Sequence, residues 1–119
     1  MSYIDGYVIP LPTKNVAAYR RVAAKAGKIW MEYGALQVVE SLADDVKPGK
    51  HTSFPQSVKL KKGEKVVFSF IVYKSRKDRD RINAKVMNDP RVAKMMEPMK
   101  TIMDGKRMFF GGFKAMVEL

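Results

Sequence analysis

The chain has 119 residues, 46% of them hydrophobic, and 23 Lys and Arg against 12 Asp and Glu give a formal net charge of +11. That length suits one domain spanning 1–119, able to bury roughly two thirds of its unfolded surface without staples. With no cysteine and one histidine, His51, the sequence excludes disulfides, thiolate nucleophiles, iron–sulfur clusters and multi-histidine metal sites, and no metal or other cofactor is expected.

Residues 3–11 read as a strand, with Pro10 and Pro12 expected to close it because proline cannot donate to a ladder. Thr13 is the expected N-cap of a helix. Val16, Tyr19, Ala23, Ala26, Trp30 and Tyr33 recur at spacings of three and four and share one face, and Gly34 is its stop. Residues 35–43 alternate in part and predict a second strand. Residues 66–73, β-branched and aromatic nearly throughout, predict a third that is apolar on both faces. The loop 44–63 between them is too long for a hairpin connection, and loops of that length serve as lids or interaction arms. Phe54 is its expected anchor.

Ser75 caps a predicted helix to about Asn88, with Ile82, Val86 and Met87 inward. Asp89-Pro90 starts a short helix that Pro98 is expected to end. After the Asp104-Gly105 turn, residues 107–117 read as a last strand, interrupted by Gly111-Gly112. The order is β-α-β-β-α-β, so the fold class is α+β and ferredoxin-like: a four-stranded antiparallel sheet with helices on one face.

Helices on one face leave the other open. On the third strand Val66, Phe68, Phe70 and Val72 share a face. If Ile4 and Val8 pack on the helices, Asp5 and Tyr7 join Phe68 and Phe70 on the open side. Several hundred Å² of exposed apolar surface at about 25 cal/mol per Å² is a drive on the order of 10 kcal/mol, before association entropy, to cover that face. The expected partner is a second copy, giving a homodimer that binds a small molecule at the sheet-face cavity or under the loop.

The segments Tyr3-Ile4-Asp5-Gly6-Tyr7-Val8, Ala43-Asp44-Asp45-Val46, Thr52-Ser53-Phe54-Pro55, Val67 to Tyr73, Asn83 to Met87, and Asp104 to Met108 with Gly111-Gly112-Phe113 resemble the YbaA-like bacterial family of unknown function. The resemblance covers nearly the whole chain and implies the dimeric α/β-barrel form of the ferredoxin-like fold. It implies no activity. The superfamily includes cofactor-independent monooxygenases and isomerases, so an enzyme of that type is one alternative.

A second alternative is an RNA-recognition-motif-like module. It shares the element order, and Phe68, Phe70 and Tyr7 would stack bases while the basic charge attracts phosphate. Against it, Val66-Val67 stand where that motif has a basic-Gly pair. Among single residues, Asp5 and His51 are candidate acid–base groups, and Asp5, Tyr7, Phe68, Phe70 and Arg107 are candidate ligand contacts. For Asp5 the competing reading is a hydrogen-bonded structural carboxylate, for Arg107 an ion pair at the sheet edge, and for His51 a solvated loop residue. Asp44-Asp45 reads better as a turn than as a cation site. No secretory leader or bilayer-spanning run is apparent, so a cytoplasmic protein without a membrane partner is expected.

Overall fold

A computed structural model describes residues 1–119. Its central strand, β1 (Tyr3–Pro12), pairs antiparallel with β3 (Glu64–Tyr73) on one side and β4 (Phe109–Lys114) on the other. The edge strand β2 (Gln37–Leu42) pairs with β3, giving the order β2-β3-β1-β4. Three helices, α1 (Val16–Tyr33), α3 (Arg76–Met87) and α4 (Pro90–Ile102), cover one face, and a single short turn of helix, α2 (Phe54–Ser57), lies in the loop between β2 and β3. The ferredoxin-like α+β plan read from the sequence is present, with the second helical segment divided in two.

Several local expectations differ from the structure for identifiable reasons. Thr13 does not cap α1. A 3₁₀ turn, Thr13–Asn15, intervenes, and the Asn15 amide donates to the Ile102 carbonyl at 2.8 Å. β1 runs through Pro10 to Pro12 because β4 pairs it only from Tyr3 to Val8. Beyond Val8 the strand has a neighbour on one side only, where a residue without an N–H fits. Pro98 lies inside α4 rather than ending it. The turn after it is held by the buried Ile102 and by Met99 and Met103, which pack against Ile9, Leu11, Tyr19 and Val67. Met87 points to solvent, while Ile82 and Val86 are fully buried.

The register assigns the faces. Asp5 pairs with Ile71 and Tyr7 with Ser69, and these look toward the helices. Ile4 pairs with Val72, Gly6 with Phe70 and Val8 with Phe68 on the opposite side. The placement of Asp5 and Tyr7 on the open side is therefore corrected: it is Ile4 and Val8 that join Phe68 and Phe70 there. The helix-side core is Ile29, Trp30, Ile71, Tyr73, Ile82 and Val86 at one end and Ile9, Leu11, Tyr19 and Val67 at the other. A smaller cluster sits on the open side, where Val58 of the long loop is buried against Val8 and Val66. Val58, not the half-exposed Phe54, anchors that loop.

The glycine pair in β4 has a steric cause. Gly112 lies opposite Asp5, and a Cβ there would come within 2.7 Å of the Tyr3 ring, whereas at Gly111 it would meet only Phe113 at 3.9 Å. Arg107 holds the end of the sheet together. Its guanidinium donates to both Glu64 oxygens (2.8 and 2.6 Å), to Asp104 (2.8 Å) and to the Val58 and Lys59 carbonyls (3.3 and 3.1 Å).

Two predictions follow from these contacts. Gly112→Ala should cost about 1–3 kcal/mol in urea unfolding, the usual range for overpacking, while Gly111→Ala costs little. The second concerns Glu64, whose carboxyl Arg107 holds below the ordinary glutamate value. The folded chain thus binds this proton more weakly than the unfolded chain. The stabilisation is complete above the unfolded value of about 4.3 and is lost as pH falls through the folded value. Glu64→Gln should cost about 2 kcal/mol at pH 7, as for a hydrogen bond to a charged group. Thermal melts should show its difference from the parent chain shrinking as pH falls below about 5.

Candidate functional site

On the helix side, the carboxylate of Asp5 is nearly inaccessible in a layer of apolar side chains. Its position is set by β1 and its partners by α3. Arg79 Nη1 donates to Asp5 Oδ1 at 2.8 Å, and Asn83 Nδ2 approaches Oδ2 at 3.4 Å. Arg79 and Asn83 are four apart in α3, so both project from one helix face. Asn83 is a hub, its Oδ1 accepting from the Tyr73 hydroxyl at 3.0 Å and from the Trp30 indole at 3.1 Å. Arg79 also lies 4.9 Å from the centroid of the Tyr3 ring. No buried side-chain nitrogen or oxygen lacks a partner anywhere in the chain.

This network holds Asp5 as a paired carboxylate. Burial, with the Asp5 and Glu40 charges adding to it, pushes the Tyr7 phenol up to about 12, and burial raises Tyr73 as well. Both hydroxyls therefore stay protonated at neutral pH, and that of Tyr73 donates to Asn83.

The open side is a different surface. Phe68 and Phe70 lie together there, ring centroids 6.1 Å apart, and Phe54 of α2 meets Phe68 edge-on at 5.9 Å. The register adds Phe109, opposite Val8, and Phe113, opposite Ile4. None of the six phenylalanines belongs to the buried core, and Phe109 and Phe113 are 47% and 64% exposed. The strand residues on this side include no Lys and no Arg. The β2 residues facing it are Gln37, Val39 and Ser41. Where the loop crosses the sheet, Leu42, Ala43, Val46, Phe54, Val66 and Phe68, with Ser41 and Asp44, line a cavity of about 230 Å³.

The sheet thus separates the candidate residues. Phe68 and Phe70 share the open face, whereas Asp5 and Tyr7 lie behind it. His51 is exposed in the loop between β2 and β3 and has no hydrogen bond to any of the other candidates. Arg107 is at the sheet's end with its donors engaged by Glu64, Asp104 and loop carbonyls. Asp44 and Asp45 are exposed, and no three His, Asp or Glu side chains converge. Sequence reasoning missed Arg79 and Asn83 as partners of Asp5. Their spacing of four was a usable signal, but nothing local aims them at residue 5. It also missed Phe109 and Phe113, whose face only the β1–β4 register decides.

Comparison with known proteins agrees with this architecture. A family described as "Protein of unknown function (DUF1428)" matches residues 2–105. The uncharacterized protein YbaA of Escherichia coli strain K12 is 46% identical over 118 residues, 99% of each chain, and YbaA of Shigella flexneri matches equally. Among solved structures, SnoaB, a cofactor-independent oxygenase from Streptomyces nogalater, superposes with a TM-score of 0.65 at 13% identity, over 99% of this chain and 96% of that one. A NIPSNAP family protein of unknown function from Agrobacterium tumefaciens gives 0.59 at 15% identity, over 96% and 87%. At these identities the likeness to SnoaB and to the NIPSNAP protein is one of fold.

The Asp5–Arg79 pair yields a double-mutant test. Arg79→Met should destabilise the chain by about 3–5 kcal/mol, because it leaves a buried carboxylate without its counter-charge. Adding Asp5→Asn should recover part of that loss in chemical denaturation. Additive losses would mean that the two side chains do not interact.

Proposed function

We propose that this chain, a member of the DUF1428 family of proteins of unknown function, works as a homodimer whose open sheet faces pack together and which binds a small apolar molecule at that interface beneath the 43–63 loop. The observation that carries the reading is the segregation of phenylalanine: five of the six, Phe54, Phe68, Phe70, Phe109 and Phe113, gather on one side of the sheet, whose strand residues include no Lys and no Arg. A contiguous apolar patch of that kind marks an interaction surface. An apolar surface of this kind can meet its own copy across a two-fold axis. The cavity of about 230 Å³ under the loop opens at its margin, so a facing sheet would roof it and enlarge it.

Charge supports a second copy over nucleotide bases. Single-strand binders combine stacking aromatics with a basic groove that tracks the phosphates. Here the strand residues of the open side include no Lys and no Arg to form such a groove, and an apolar surface is met best by another of its kind.

Light scattering on the purified protein should give about 27 kDa, twice the chain mass of 13.5 kDa. Phe68→Asp and Phe113→Asp change side chains that are 43% and 64% exposed, so each should halve the mass while the circular dichroism spectrum is kept. A monomeric parent chain, or salt-sensitive binding of labelled RNA lost in Phe68→Ala and Phe70→Ala, would overturn the reading.

A further inference from the structure

A second cavity lies away from the phenylalanine face. It is a groove of about 730 Å³ on the helix side, between α1 and the edge strand β2. Its origin is in the sequence of α1. Where larger side chains would lie over the edge strand, α1 presents Ala23, Ala24 and Gly27, and a Cβ at Gly27 would already stand 3.2 Å from Val38. The helix therefore comes close at Gly27 yet leaves the helix-facing side of β2, Val38, Glu40 and Leu42, uncovered as a floor. Met31 and Leu36, 45% and 56% exposed, extend the apolar wall at one end.

Two cations border this apolar channel. Arg20 and Lys28 line it from α1, eight residues and so about 12 Å apart along the helix axis. Neither takes part in an ion pair. Of the seven arginines, Arg76, Arg79, Arg81, Arg91 and Arg107 each lie within 4.0 Å of a carboxylate oxygen, and only Arg20 and its neighbour Arg21 do not. The one acid in the groove, Glu40, lies on the β2 floor, where it accepts from the Tyr19 hydroxyl at 2.6 Å and burial pushes its carboxyl above the ordinary glutamate value. An elongated apolar channel with a few placed polar groups and unneutralised cations at its margin has the form of a small-molecule site, selective for an apolar body with a negative group.

We propose that the groove between α1 and β2 binds an organic anion with an apolar or aromatic body, which lies along Ala23, Ala24 and Gly27 while its acidic group is held by Arg20, and Lys28 adds positive potential at the other end. The site is on the opposite side of the sheet from the dimer face and does not depend on dimerisation.

The test uses a pair of fluorescent probes, 8-anilinonaphthalene-1-sulfonate and its uncharged counterpart N-phenyl-1-naphthylamine, titrated into the full chain. Both should bind. The double variant Arg20→Ala with Lys28→Ala should weaken the sulfonate at least tenfold and change the neutral probe by less than twofold. Ala24→Phe, at an exposed helix position that tolerates the larger side chain, should fill the channel and abolish both. Phe113→Asp should leave both intact, which separates this site from the phenylalanine face. Failure of either probe to bind, equal loss of both in the double variant, sulfonate binding unchanged there, or probe binding insensitive to Ala24→Phe would overturn the proposal.

Discussion

The structure turns on one constraint: both faces of the central strands are apolar, and the chain supplies helices for only one of them. What distinguishes the two faces is the kind of bulky residue each receives. The helix side takes Trp30, Tyr73 and Tyr19, large side chains with a polar atom to satisfy, and satisfies each through Asn83 or Glu40. Phenylalanine has no such atom and needs no partner but another apolar surface. Five of the six are placed on the side where the chain offers little cover of its own, and the sixth, Phe110, stacks on Tyr7 at 5.7 Å. The buried polar network therefore fixes which face of β1 goes inward, and the open face follows from that choice.

The long loop is the chain's partial answer to the open side. Val58 seals the Val8–Val66 end of the sheet, and Arg107 ties that stretch of loop to the start of β3 and to the turn before β4. The other end, with Phe70, Phe113 and Val72, is left without such cover. β2 is correspondingly the wall shared by two environments. One of its sides borders the phenylalanine surface, and the other forms the floor of the groove under α1. An edge strand with both sides accessible is costly to leave bare in a small protein, which is why occupants on each side are a physically motivated expectation.

Most of the fold was legible because the strong signals were local. Helical periodicity placed α1, and the glycine at 34, with φ of 117°, ended it as expected. The β-branched run placed β3, and Ser75 and Asp89 cap α3 and α4 through their side chains. What misled was β1, where alternation gives Tyr3, Asp5, Tyr7 on one side and Ile4, Gly6, Val8 on the other. Burying the aliphatic set looks better by hydrophobicity alone. The structure buries the other set because a guanidinium 74 residues away neutralises Asp5 and covers the Tyr3 ring. No periodicity encodes a contact of that range. Pro98 misled for a related reason, since the turn beyond it is held by tertiary packing of Ile102 rather than by helix propensity. The groove was invisible because it arises from side chains that are missing, at Ala23, Ala24 and Gly27, opposite a strand whose position only the fold supplies.

The central claim is that a second copy meets the phenylalanine side of the sheet. It is tested most directly by isotope-filtered nuclear Overhauser spectra on a mixture of labelled and unlabelled chains, which detect only contacts between molecules. The account predicts intermolecular cross-peaks from the rings of Phe68, Phe70, Phe109 and Phe113 to aliphatic protons of Ile4, Val39 and Val72. Their absence, or intermolecular cross-peaks confined to α1, α3 and α4, would contradict it.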